Sequence, residues 1–242
     1  MAAIERDVWE QLRRFDTPTI CNVIELFEVR PRTVGYMNAR IQACFPDLPP
    51  MVGCAATATF RAAAPLRGGD VYASTEAQVE LFEHLSGPPV VVVQDLDSPT
   101  VAATFGEVMC SIYQAFGAVG IVTSGTGRDL DQVHALAFPA FTNGTTCAHG
   151  YSHLLHLNVP VHVGGLMVDP DEVLHGDRNG ITTIPRAIVT EVAQIADAFV
   201  AAEQIILDAV RTETASLARL RQARAEAHAH ITALRTQVSR AR

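Results

Sequence analysis

Residues 88–96 read PPVVVVQDL, and the four consecutive valines leave little choice in what surrounds them. β-Branched side chains favour extended backbone. A strand sends alternate side chains to opposite faces, so an unbroken apolar run needs cover on both. Helical patterns flank the run. STEAQVELFEHLS (74–86) reads as an amphipathic helix beginning at a Ser/Thr cap. GEVMCSIYQAFG (106–117) reads as a helix closed by Gly117. VGCAATATF (52–60) is a strand of period two, and residues 118–124 form a further strand. FPAFT, VPVHVGG and GITTIP follow as three short strands with turns between them. Strand and helix alternate from residue 52 to 142, then short strands dominate. The predicted class is α/β, a layered domain on a central mixed sheet.

The ends of the chain read as helical. One helix is expected over Glu5–Phe15, and a second starts at Thr17 as its cap with Pro18 at the first helical position. Residues 29–51, with four prolines, are irregular. Past Pro185, apolar residues recur at three- and four-residue steps (Ile188, Val192, Ile195, Phe199, Ile206, Val210). Leu217, Leu220, Ala227, Ile231, Leu234 and Val238 continue near heptad spacing. The expected division is an α/β domain over 1–185 and a C-terminal helical extension over 186–242. That extension packs on its own domain or grips a neighbouring subunit.

Composition removes several function classes. A chain of 242 residues makes one large or two small domains. It buries about 70–75% of its unfolded surface, so its core needs no disulfide or metal. No apolar run reaches the roughly 18 residues of a membrane span. The start, MAAIERDVWEQLRRF, carries charges where a signal peptide is apolar, so a soluble cytoplasmic protein is expected. The five cysteines are widely spaced, without a CxxC pair, as free thiols in a reducing compartment would be. A net charge of −8 argues against broad nucleic-acid binding. All 18 cationic residues are arginine. Without lysine there is no Schiff base, no pyridoxal-phosphate attachment and no Walker P-loop. Carbonyl chemistry on this chain therefore has to use a metal or an oxyanion hole.

Gly125-Thr126-Gly127 is half of a dinucleotide fingerprint, but Leu130 stands where the third glycine belongs. His149, His153 and His156 would put imidazoles at i and i+4 of a helix. No glutamate lies between them as in a zinc protease, and Gly150 interrupts the helix, so ordinary histidines are expected. Gly106 precedes a helix whose first amides, on Glu107, Val108 and Met109, form an anion cradle at the positive end of the dipole. Glu107 alone would equally serve to complement that dipole. Arg128 and Asp129 follow a glycine turn. They are either an incidental surface pair or a site in which Arg128 holds a carboxylate and Asp129 a metal. Ligands of α/β folds gather beyond the carboxyl ends of strands. The Gly106 helix start and the Arg128 turn flank one strand, so both can meet over one pocket.

GEVMCSIYQAFGAVGIVTSGTGRD resembles the signature of the family shared by the regulator of ribonuclease activity A and the 4-hydroxy-4-methyl-2-oxoglutarate aldolases. FDTPTICNVIE, MVGCAATATF and VPVHVGGLMVDPDEVLHGDRNGITTIP are similar to its N-terminal helix, first sheet strand and closing segment. The resemblance covers residues 12–210. It implies a class II type lyase that cleaves a C–C bond of a 4-hydroxy-2-oxo acid to release pyruvate, with oxaloacetate decarboxylation as a side activity. The implied cofactor is a divalent metal, Mg²⁺ or Mn²⁺, on Asp129. Arg128 would hold the substrate carboxylate or carbonyl, with Gly106 and the amides of Val108 and Met109 completing its cradle. Glu107 would orient a metal-bound water. A homotrimer or hexamer is implied, with the site between subunits and Glu203 lent to the neighbour. The same resemblance admits a non-catalytic regulator that binds a ribonuclease, or a biosynthetic enzyme that reuses the pocket. The chain departs from the family pattern at Ser124 and at Asn22, where aspartates are usual, and these departures bear on the substrate.

Overall fold

The computed structural model describes residues 4–65, 73–212 and 215–240. In chain order, α1 (Arg6–Leu12), α2 (Thr17–Glu25), β1 (Gln42–Ala43), β2 (Met51–Arg61), α3 (Ala73–Glu80) and β3 (Pro89–Asp95) come first. Next are β4 (Ala103–Phe105), α4 (Glu107–Ala115), β5 (Gly120–Thr123), β6 (Thr126–Gly127), α5 (Leu130–Ala135) and β7 (Ala140–Thr142). The chain ends in β8 (His153–Leu157), β9 (Val161–Val163), β10 (Leu166–Val168), β11 (Val173–Asp177), β12 (Gly180–Ile184), α6 (Val189–Val210) and α7 (Leu217–Arg240).

The valine run sits at the centre of an eight-stranded mixed sheet ordered β1-β7-β5-β3-β2-β11-β12, with β8 also paired to β2. β2, β3, β5 and β7 are parallel, with Thr57 beside Val92, Val92 beside Val122 and Val122 beside Phe141. β11 and β8 join β2 antiparallel, which makes the sheet mixed. Val91 and Val93 face a core that holds Phe105, Cys110 and Tyr113 from the α4 side. Val90 and Val92 face a second core with Val161, Val163 and Val168 from β9 and β10. Cover on both faces is what the uninterrupted valines required.

β2 is the strand expected over 52–60, and Met51 to Phe60 are all buried. Its small residues, Gly53, Ala55, Ala56 and Ala58, let both neighbouring layers close on it.

The cap of α2 lies one residue earlier than predicted. Asp16 Oδ1 accepts from the Thr19 amide at 2.8 Å, and Thr17 is already helical. Thr17 is used elsewhere: its amide donates to Asp177 Oδ2 at 3.0 Å and its hydroxyl meets Nδ1 of the buried His175 at 2.9 Å. α1 is shorter than expected, ending at Leu12. α3 starts ahead of Ser74, and its tail, Leu81–His84, tightens into a 3₁₀ turn. α4 ends as the glycine predicts, with Gly117 at φ +90°.

α6 buries Val192, Ile195 and Phe199 beside α1 and α2. α7 turns back along α6, and its Val238 joins the same core with Ile231 and Leu234 against it. Arg235 of α7 reaches Glu28 past the end of α2 at 3.9 Å. Among the described residues no helix is long and apolar enough to cross a membrane.

Candidate active site

The site is assembled by a strand pair too short to carry a period. β4 and β6 run parallel, Ala103 beside Thr126 and Phe105 beside Gly127. The Arg128 amide continues the ladder, donating to the Phe105 carbonyl at 3.1 Å. This pairing lays the turn before α4 against the turn after β5, so Gly106 and Arg128 become neighbours although 22 residues separate Glu107 from Asp129.

Two glycines make the approach possible. A Cβ on Gly127 would strike the Phe105 ring. A Cβ on Gly106 would strike Asp129 Oδ2 and come within 3.0 Å of Arg128 Nε. Gly106 has φ −152°, open to any residue, so space alone excludes a side chain there.

Asp129 stands at φ 54°, ψ 41°, a left-handed conformation that costs a non-glycine residue about 1–3 kcal/mol. The turn aims its carboxylate at the start of α4. Oδ2 accepts from the Glu107 amide at 3.1 Å and lies 3.6 Å from Arg128 Nε. One amide of the expected anion cradle is thus already engaged by Asp129. The positive end of the α4 dipole and Arg128 both stabilise this charge. Each side chain is about one-third exposed, 33% for Arg128 and 36% for Asp129, so the pair remains open to solvent.

A cavity of about 480 Å³ opens beside this clasp. Gly106, Val108, Met109 and Arg128 form one wall, while Glu107 and Asp129 lie outside it. The opposite wall comes from residues that local pattern did not connect with Arg128: Phe60 of β2, and Tyr151, His153 and Leu154 around β8. The helix that would pair the histidines is absent. Gly150 stands at φ +52°, and 153–157 is a strand pairing with β2. His153 is buried and its Nδ1 donates to the Tyr151 carbonyl at 2.6 Å, whereas His156 is exposed and bonds Thr59. His149 borders the cavity.

Asp95 also escaped the sequence pattern. It ends β3 beneath Gly125, where a Cβ would come within 2.8 Å of its Oδ2. Burial raises its pKa, opposed by a hydrogen bond from the Asp97 amide. Glu203 lies on the α1–α2–α6 side of the chain. Partial burial and then the charge of Asp16 raise its pKa, so its electrostatic neighbour here is the α2 cap rather than Arg128.

Among the described residues no three His, Cys, Asp or Glu side chains gather as a metal cage. That donor set does not fit a closed four-ligand zinc site. A solvent-open carboxylate with a free face fits Mg²⁺, which binds through one or two carboxylates and keeps several waters.

The structure is that of an α/β protein with a parallel-centred mixed sheet, in which a helix N-terminus and an Arg-Asp turn are clasped at one end beside a cavity. The RraA-like family, described as Aldolase/RraA, matches residues 17–183, and the chain belongs to it. A Halalkalibacterium halodurans protein provisionally named 4-hydroxy-4-methyl-2-oxoglutarate aldolase is 28% identical over 195 residues, covering 80% of this chain and 84% of that one. An Alcanivorax borkumensis protein of the same provisional name is 27% identical over 132 residues, 50% of this chain and 82% of that one. The fold is shared with an uncharacterized Pseudomonas syringae protein at a TM-score of 0.70 and 21% identity, covering 92% and 95% of the two chains. It is shared with Streptomyces coelicolor RraAS2, described as an unusual member of the RNase ES inhibitor RraA family, at 0.66 and 22%, covering 87% and 100%.

Proposed function

We propose that the protein is a divalent-metal-dependent, class II type lyase that cleaves a 4-hydroxy-2-oxo acid and releases pyruvate, with oxaloacetate decarboxylation as a second activity. The observation that carries this reading is the clasp of Gly106 and Glu107 on Arg128 and Asp129, at the edge of a cavity the size of a small-molecule site. Two provisionally named aldolases among the relatives support it. The lack of lysine supports it further, since a lysine-based aldolase route is closed to this chain.

In this reading Asp129 holds Mg²⁺, or Mn²⁺ in its place, with water completing the shell. A bound divalent ion supplies Lewis acidity at the 2-oxo oxygen. Arg128 offers a planar fork to the carboxylate or carbonyl. The amides of Val108 and Met109, at the positive end of α4, receive the carboxylate. Gly106 lets the substrate and Asp129 approach the same backbone. Glu107, exposed at the rim, orients a water. The C4 hydroxyl gives its proton to water, the C3–C4 bond breaks, and its electron pair stays with C3 as the enolate of pyruvate. C3 then takes a proton from water. The α/β part over 1–185 carries this site and 186–242 supports it as a helical extension. The working form is a homotrimer or hexamer with the site between subunits, Glu203 serving the neighbouring copy.

The test is pyruvate release from 4-hydroxy-4-methyl-2-oxoglutarate and from oxaloacetate, read through lactate dehydrogenase, with Mg²⁺ and with EDTA. Turnover that EDTA abolishes is the expected result. A folded protein that neither turns over nor binds the ion overturns the reading. A ribonuclease regulator would then be the better account, because fold likeness cannot separate the two.

A further inference from the structure

Charge is divided unevenly along the chain. Residues 211–242 hold seven arginines and two glutamates, a balance of +5. With −8 for the whole chain, the first 210 residues carry −13. The basic part stands off the body. Among the described residues, the core built with α1 and α2 takes nothing from α6 past Phe199 and nothing from α7 before Ile231. The end of α6 and the first turns of α7 therefore project as the tip of a helical hairpin. Leu217, Arg221 and Arg224 recur there at i, i+4 and i+7, on one face of α7. Leu217 is 62% exposed, and both arginines are exposed. Among the described residues neither arginine has an ion-pair partner.

The complementary pattern lies over a different core. No arginine or lysine stands between Arg67 and Arg128. Glu80 ends α3 and Glu83 lies in the 3₁₀ turn after it, three residues apart as Arg221 and Arg224 are. Both are exposed, and among the described residues neither is ion-paired. They border a hollow of about 340 Å³ whose other walls are apolar: Val79, Phe82, Pro89 and Phe116. Phe116 is 62% exposed. Phe82 belongs to the core on the α4 side of the sheet, whereas α7 is carried by the core of α1 and α2. We propose that the tip of α7 in one copy of this chain docks on the acidic hollow of a second copy, Leu217 against Phe116 and Arg221 and Arg224 on Glu80 and Glu83. Exposed ion pairs contribute little singly, so the two large apolar side chains supply the attraction and the charges set the register. Nucleic acid fits the tip less well, because phosphates offer nothing to Leu217 and the acidic body would repel them. The contact is head-to-tail, so in a closed ring every copy both gives a tip and receives one. It goes beyond the lyase reading and does not depend on it.

Sedimentation velocity of the full chain over a concentration series tests the contact, with charge reversal on either side. Arg221→Glu with Arg224→Glu should weaken association at least about tenfold, and so should Glu80→Arg with Glu83→Arg, because attraction becomes like-charge repulsion. All four substitutions in one chain should restore association to within about threefold of the parent, since the same pairs form with their signs exchanged. All four positions are exposed, so every variant should keep the parent circular dichroism. Leu217→Ala should weaken association even in high salt, where exposed ion pairs are screened. A parent that stays monomeric throughout, or reversals that leave association unchanged, overturns the docking. So does a reversal that acts at the tip but not at the hollow, or a fourfold variant that stays as weak as either pair. Binding of labelled single-stranded RNA that the tip reversal abolishes, with assembly unchanged, would give the tip to nucleic acid instead.

Discussion

The Glu107 amide donates to Asp129 Oδ2 at 3.1 Å, so the first turn of α4 is capped by a carboxylate from a different element. Gly106 makes that contact possible, because any Cβ there would occupy the place of the carboxylate oxygen. Gly106→Ala should therefore displace Asp129 while leaving the backbone conformation allowed. Pyruvate release should fall about 100-fold, the scale of an ångström-sized misplacement at a reacting centre. Circular dichroism should remain that of the parent, and a parent-like rate would refute the close approach.

Asp129→Asn separates charge from shape. Asparagine tolerates the left-handed backbone that Asp129 adopts and keeps an oxygen for the Glu107 amide. Thermal stability should stay within about 1 kcal/mol, since the capping contact survives. Mg²⁺ or Mn²⁺ binding, followed by titration calorimetry, should be lost along with metal-dependent turnover. Retained ion binding would show that Asp129 is not the ligand.

Arg128→Lys keeps a positive charge but replaces a planar fork with a point charge on a flexible stem. The backbone bond from Arg128 to Phe105 is untouched by the change. KM for the 2-oxo acid should rise about tenfold or more, the loss of one charge-assisted hydrogen bond at about 1.5–3 kcal/mol. Steady-state kinetics on both candidate substrates checks this. An unchanged KM would place the carboxylate elsewhere.

His175 ties the fold to pH. It is fully buried on β11, with Nε2 donating to the Leu12 carbonyl at 3.1 Å and Nδ1 meeting the Thr17 hydroxyl. Burial lowers its pKa, against smaller opposing effects from Leu12, Asp177, Asp16 and Phe15. The unfolded chain therefore binds the proton first. Below the usual histidine value of about 6.5, stability should fall as pH falls toward the depressed folded value. Urea midpoints at pH 7.5 and pH 5.5 measure the slope. His175→Gln should be less stable at pH 7.5 and should show a smaller loss on acidification. An equal slope in both proteins would exclude His175 as the titrating group.

α7 contributes Val238 to the core beside α1 and α2. Val238→Ala should cost about 2 kcal/mol, the value of one buried valine, and should lower the melting temperature without changing KM. A neutral substitution would mean that α7 is not held on this face in solution.

How much of this was legible in the sequence follows from the range over which each signal acts. The valines of β3 prescribe a strand with cover on both faces by themselves, because side-chain alternation is a property of the backbone alone. Gly117 closes α4 for an equally local reason, its positive φ, whereas the room that Gly106 leaves at the start of α4 is taken up by Asp129 and Arg128 of another element. The lack of lysine closes whole reaction classes without reference to any fold. The cap of α2 was misplaced by a single residue, since Asp16 and Thr17 are both good caps. The tie of Thr17 to His175 and Asp177, 158 and 160 residues further along the chain, decides how Thr17 is used.

The site itself needed tertiary structure. β4 and β6 are three and two residues long, too short for any period, and take their hydrogen bonds from each other. Only that pairing sets Asp129 on the Glu107 amide. Likewise β8, whose local pattern does not link it to Arg128, becomes a wall of the cavity because it pairs with β2. The sequence by itself determined the layered α/β class, the ends of α4 and the chemistry open to a chain without lysine, all consequences of local geometry and residue type. Tertiary structure alone decided which carboxylate caps which amide and what lines the cavity, because those contacts are satisfied by partners far apart in the chain.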